Sequence, residues 1–396
     1  MSPAPRNRLS LFYLVYFSTL GSFLPYWGVY LDSIGFYPWQ IGQLMAALVG
    51  TKIIAPILWG WLADRSGKAM RIIRVASLIA ALAFTLVFLW SDFIKLLAVT
   101  LVFSFFWNAT LPQFEAVTLC HLGNSAHDYS RIRIWGSIGF VISVVLVGIL
   151  VDTHTVSILP VLICMFMFGI WFTSLIVPEC NRSQDESDPG NIFTTLKQPA
   201  VLVFLLVVCL AQAAHGAYYV FYSIYLEDNG YSSTETGLLW ALGVVAEIFL
   251  FFYIHRFLKI ISLRHLLMCS ISLGILRWSL IGCCINSSGL VILAQLLHAA
   301  TFGSTHIAAI HIVHRSFPAA HRGKGQAIYS GVSFGLGGMI GSYTSGELWS
   351  ILGATGVFYG SALVCLLALF CMSACAGFKD KSIDEPTRET IVEEDS

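Results

Sequence analysis

Lys52 and Glu247 each fall in the middle of a long apolar run. An unpaired charge surrounded by hydrocarbon costs roughly 2.5 kcal/mol or more, so an ionisable side chain at such a depth is a functional candidate. The two positions are equivalent. Tyr30-Leu31-Asp32-Ser33-Ile34-Gly35-Phe36 leads to Gly42, Leu44, Ala46 and Lys52. Tyr225-Leu226-Glu227-Asp228-Asn229-Gly230-Tyr231 leads to Gly237, Leu239, Ala241 and Glu247, every partner 195 residues from its counterpart. Lysine at mid-depth suits anion binding, because a stem of about 6 Å does not reach an interface about 15 Å away.

Glu115 and Arg133 form a second pair. They flank the polar turn 123–128 and are each about nine residues from its centre. At about 1.5 Å per residue both lie roughly 10–13 Å deep on adjacent helices, where opposite charges meet. Such a pair either binds a solute or holds the hairpin together. Arg277 and His298 are further mid-span polar groups; the alternatives are a structural Arg277–Glu247 salt bridge and a packing histidine at His298. His306, His311 and His314 follow His298 at spacings that do not share one helix face, so no metal site is expected. His215 precedes Gly216-Ala217-Tyr218-Tyr219, whose aromatics are candidates for lining a cavity.

The elements that position these groups are membrane spans. Hydrophobic residues make up 57% of the 396 residues and charged residues 11%, with zero formal net charge. A soluble domain carries about 25% charged residues, and no basic footprint for nucleic acid is present. Twelve stretches are long enough to span: 11–31, 41–63, 72–91, 96–120, 133–151, 156–177, 201–226, 236–256, 265–285, 289–314, 325–348 and 354–376. The first follows Arg6 and Arg8 and reads as a retained span rather than a cleaved leader.

The fold class is thus all-α integral membrane, two six-helix bundles. The expected division is 1–180, a linker 181–200, 201–378 and a tail 379–396. Of the twenty-two basic residues, all but Lys95, Lys52 and Arg277 fall on the face that holds both termini, which predicts cytoplasmic termini. The ten cysteines show no CxxC or zinc spacing and read as packing residues, not staples. Gly331, Gly335, Gly338 and Gly341 have helix-packing spacing.

Between the second and third spans stands Gly60-Trp61-Leu62-Ala63-Asp64-Arg65-Ser66-Gly67-Lys68-Ala69. It resembles the signature loop of the major facilitator superfamily and departs from it at Ala69, where a base is usual. The resemblance implies that Gly60, Asp64, Arg65, Gly67 and Lys68 gate the inner side. Pro112-x2-Glu115, Arg133, Gly136 and Gly139-Phe140 resemble the sugar-binding helix pair of the lactose permease group, with Phe140 in place of its stacking tryptophan. That group carries a proton-releasing carboxylate three residues after its histidine; here the position is Thr301, and its lysine position is Gln295. The remaining proton carriers are Glu247 and His298, side chains able to take up and release a proton.

Closer still, Phe23-Leu24-Pro25-Tyr26-Trp27, Arg133-Ile134-Trp135-Gly136-Ser137, His215 to Tyr219, Leu239 to Glu247, Arg277-Trp278, and His298 with His306 resemble the phenylpropionate permease group. The resemblance implies proton-coupled uptake of a small aromatic carboxylate. Lys52, Glu115, Arg133, Phe140, Tyr218 and Arg277 are the expected substrate-binding residues. Lys52, Arg133 and Arg277 against Glu115 and Glu247 leave one positive charge, which one bound carboxylate neutralises.

The expected setting is a bacterial inner membrane, with the protein a monomer and with no cofactor. A sugar or nucleoside symporter is the alternative, and a sensor without transport a further one. No His-x4-Asp pattern, zinc motif or phosphate-binding glycine loop supports an enzyme.

Overall fold

The computed structural model describes residues 5–180, 192–318 and 321–375, and the secondary structure of those residues is helical. The spans are α1 (Arg6–Ser33), α2 (Pro38–Ser66), α3 (Ala69–Phe88), α4 (Phe93–Leu122), α5 (Tyr129–Thr153), α6 (Val156–Ile176), α7 (Pro199–Asp228), α8 (Ser233–Leu258), α9 (Leu263–Cys283) and α10 (Ser288–Ser316). A last tract, Arg322–Ala374, has 53 residues. At about 1.5 Å per residue it is roughly 80 Å long, more than twice the hydrocarbon thickness. Gly353 interrupts it with φ +67° and ψ 174°, a conformation essentially reserved to glycine. It therefore comprises two spans, α11 (322–352) and α12 (354–374), making twelve. Residues 181–191 of the expected linker and the tail 379–396 lie outside the described residues; Phe193–Leu196 forms one helical turn before α7.

Packing follows the sequence repeat. In the first half α1 lies on α5 and α6, α3 on α4 and α6, and α2 on α4. In the second, α7 lies on α11, α9 on α10 and α12, and α8 on α10. Across the halves α2 meets α11 and α8 meets α5, which are counterpart pairs under the repeat, and α1 touches α7.

These crossings are closest at the end away from the termini, and glycine makes them. A β-carbon on Gly42 would stand 2.6 Å from the Gly346 Cα, and one on its repeat partner Gly237 would stand 2.6 Å from the Val144 carbonyl oxygen. Side chains at either place would hold the backbones apart. The Tyr26 hydroxyl sits in the α5–α8 crossing, within reach of the carbonyls of Val144 (2.7 Å) and Ser233 (3.1 Å). The Asp152 carboxylate accepts the Ser233 and Thr234 N–H groups at 2.9 and 2.8 Å, placing a negative charge at the amino end of α8. Gln43 bonds Glu347 at 3.1 Å across α2 and α11.

The termini end is tied within the halves instead. Gly67 closes α2 in the left-handed region at φ +63°. Arg74 bonds the Ser174 and Val177 carbonyls, and Glu179 accepts the Met70 N–H. Cys120 and Cys180 form a disulfide here, correcting the reading of every cysteine as a packing residue. The helix-11 stripe holds in part: Gly335 and Gly341 make close contacts, with Ile53 and Ala213, Gly338 makes an ordinary contact with Val49, and Gly331 faces open space, while Gly337, outside the stripe, packs closely on Cys209.

A β-carbon at Gly148 would collide with the Ser233 carbonyl oxygen. Gly148→Val is therefore expected to keep the α5–α8 crossing from closing. Spin labels at the ends of α5 and α8 away from the chain termini should report a longer and broader distance than in the parent protein. An unchanged distribution would show that this crossing tolerates a side chain.

Candidate functional site

Glu115, Arg133, Glu247 and Arg277 stand on continuous helices, whereas α2, α7, α10 and α11 are interrupted. α2 leaves α geometry at the 3-10 turn Thr51–Ile53, with Lys52 at its centre. Pro56 causes this, because it has no N–H to give to the Lys52 carbonyl. Lys52 thus stands at a break and not within a continuous helix. α7 breaks at His215, whose Nδ1 donates to the Ala211 carbonyl at 2.8 Å. α10 and α11 widen into π-turns at Ala299–Gly303 and Gly331–Gly337. Such turns recur at functional sites.

Arg133 sits between the halves. Its Nε lies 4.0 Å from Glu115 Oε1, and the Tyr129 hydroxyl donates to the same oxygen at 3.3 Å. The guanidinium lies over the Phe17 ring at 3.9 Å and near Tyr13 at 5.6 Å. From the second half, Glu247 and His306 are near enough to interact with Arg133 electrostatically. The Glu247 side chain runs along the α10 π-turn, its Cγ 3.2 Å from where a β-carbon on Gly303 would be. Lys52 has no ion-pair or hydrogen-bond partner among the described residues. A cation and an acid of the first half thus meet an acid of the second, and Lys52 is a further cation without a partner among the described residues. This arrangement can bind a carboxylate and pass a proton.

A second cluster is enclosed within α7–α10. Tyr218 stacks on Tyr222 at 4.8 Å and on His298 at 5.9 Å, with Trp240 tilted against it at 4.5 Å. His298, Phe302 and His306 form a near-parallel ladder down α10, with centroids 5.3 and 6.4 Å apart. The four-residue spacing of these rings is readable in sequence, and Phe302 was missed there. A narrow cleft lined by Gln212, His215, Phe302, Thr305, Tyr329 and Phe334 runs beside the ladder. The interruptions of α7, α10 and α11 all border it.

The Arg277–Glu247 salt bridge is not formed. Arg277 instead donates to Ala294 and Thr301. Phe140 is 8% exposed in the core of the first half, and Phe17 supplies the ring over Arg133. Phe17 was not readable, because it approaches Arg133 from a distant span; Tyr129, one helical turn before Arg133 on α5, was readable by spacing and was missed. His306 bonds the Tyr329 hydroxyl at 3.0 Å. In the signature loop Arg65 lies over Trp61 at 5.4 Å, and Gly60 stands beside the Gln113 side chain.

A family model described as MFS_1 like family matches residues 7–360. The chain is 33% identical over 377 residues to a probable 3-phenylpropionic acid transporter of Escherichia coli K12, covering 91% of this chain and 96% of that one. It is 21% identical to the Escherichia coli nucleoside permease NupG, covering 92% and 96%. The crystal structure of the nucleoside transporter NupG superposes with a TM-score of 0.81 at 18% identity, over 94% of this chain and 99% of that one, a likeness of fold.

At 4.0 Å and about a third exposed, the Glu115–Arg133 pair contributes little to stability, about 1 kcal/mol or less. Glu115→Gln should therefore leave the melting temperature within a few degrees of the parent while lowering uptake at least about tenfold. Loss of folding with no separate effect on uptake would make the pair structural.

Proposed function

The chain belongs to the MFS_1-like family, and from that premise we propose that this membrane transporter imports a small aromatic carboxylate of the 3-phenylpropionate type with protons. The substrate class rests on one observation above others: Arg133 offers a guanidinium already lying on a phenyl ring and within electrostatic reach of Glu247 of the other half. A carboxylate would take the cation, and the solute's ring would extend the stack over Phe17 or Tyr13. Lys52, free of other partners, is the second anion ligand. Glu247 is the proton carrier, because it faces Arg133 across the halves and a bound carboxylate would compete with it for that cation. Protonating Glu247 removes the competition, so proton and substrate favour each other's binding.

In this reading residues 1–180 and 201–378 rock about the bound solute. The termini end faces the cytoplasm, as the lysine and arginine distribution favours. The glycine crossings at the far end are then the outer gate, and the 60–68 loop the inner one. The membrane is the bacterial inner membrane, and one chain suffices for the path.

A second reading, a nucleoside or sugar symporter, is favoured by Glu115, Arg133 and Tyr129, which suit hydroxyl groups as well as carboxylates. Competition distinguishes the two. In proteoliposomes with an inward proton gradient, labelled 3-phenylpropionate should accumulate, unlabelled aromatic acids should compete, and nucleosides and sugars should not. Lys52→Ala should lower uptake at least about tenfold with the protein still folded. Uptake indifferent to the gradient would remove the coupling, and competition by nucleosides alone would replace the substrate.

A further inference from the structure

Arg277 is completely buried on α9, with 0% exposure, yet it makes no ion pair among the described residues. Its Nε donates to the Ala294 carbonyl at 3.0 Å and its Nη1 to the Thr301 hydroxyl at 3.1 Å. Both acceptors are neutral. The plane of the guanidinium is covered by Tyr218 at 4.4 Å and Trp278 at 4.5 Å. The titratable groups near enough to interact with it include Tyr218, Tyr219, Tyr222, His215, His298 and Cys365, none of which is a carboxylate. A buried guanidinium without an anion is strongly unfavourable, and hydrogen bonds to neutral oxygens do not cancel the charge.

The same place holds unmatched donors. Arg277 Nη2 has no acceptor, and neither do the Gln295 Nε2 amide or the Tyr222 hydroxyl, both on fully buried side chains. Tyr218 links the three. Its hydroxyl donates to Gln295 Oε1 at 2.9 Å, its ring stacks on Tyr222, and its face carries Arg277. One cation with no anion beside it, and three unpaired donors around a single tyrosine, leave a surplus of positive charge. Water would satisfy the donors but leave the charge.

We propose that this cluster is an occluded site for a monovalent anion, held by Arg277 Nη2, Gln295 Nε2 and the Tyr222 hydroxyl. The shared chemistry is a small anion with one negative charge, which is either the carboxylate of a transported acid or a resident halide. The site does not depend on the transport reading, since a protein carrying neutral nucleosides would still need the anion.

The test is thermal unfolding of the purified full-length chain in detergent, in gluconate buffer, titrated with chloride, formate or 3-phenylpropionate. At least one of the three should raise the melting temperature saturably. Chloride among them marks a resident ion, and carboxylates alone mark the solute. Arg277→Gln should weaken the response at least tenfold. Thr301→Asp puts a carboxylate where Nη1 now meets a hydroxyl; it should abolish the response and raise the melting temperature in gluconate above the parent's. No response in the parent, or a response intact in Thr301→Asp, would overturn the site even if Arg277→Gln does not fold. Failure of phenylpropionate uptake with a chloride response retained would sink the substrate assignment alone.

Discussion

Hydrocarbon does not solvate charge, and each ionisable group in the interior of this protein must therefore answer to another group or to a water-filled space. The first half answers with a pair, Glu115 and Arg133, seated on aromatic rings at the edge of the space between the halves. The second half answers differently. Its acid, Glu247, faces across to Arg133, while its cation, Arg277, is sealed among rings with no acid beside it. The charges are thus not balanced within each half. Electrostatics ties the two halves to each other and to whatever occupies the space between them, which is what a machine that must respond to its cargo requires.

Glycine sets the geometry in which this balance operates. Gly42 and Gly237, equivalent under the repeat, both stand where the opposite half comes closest. Two bundles that touch backbone to backbone at one end can close there tightly and still separate, because little side-chain interdigitation must be undone. Tyr26 and Asp152 add directional bonds to the same closure.

Much of this was legible in the sequence. The repeat, the twelve spans and the family loop are patterns of composition and spacing, and these survive translation into structure. The depth match of Glu115 and Arg133 needed only the rise of a helix. What escaped was of two kinds. Contacts between distant spans, such as Phe17 on Arg133 or Cys120 with Cys180, depend on which helix faces sit together, and one sequence does not state that. Departures from α geometry escaped as well. The Lys52 break has a cause visible in Pro56, yet an apolar run reads as continuous. The π-turns of α10 and α11 leave hydropathy unchanged, so nothing in the pattern marks them.

The π-turn at Ala299–Gly303 has a consequence for how α10 presents its two halves. A widened turn holds one residue more than an α turn. Each residue advances a helix by about 100°, so the extra one rotates everything that follows relative to everything before. His298 and His306 line up through Phe302 because of that rotation and not in spite of it. In a regular helix, positions eight apart drift by about 80° from alignment. The bulge acts as a phase corrector, keeping an enclosed residue and a space-facing one on a single line through the membrane.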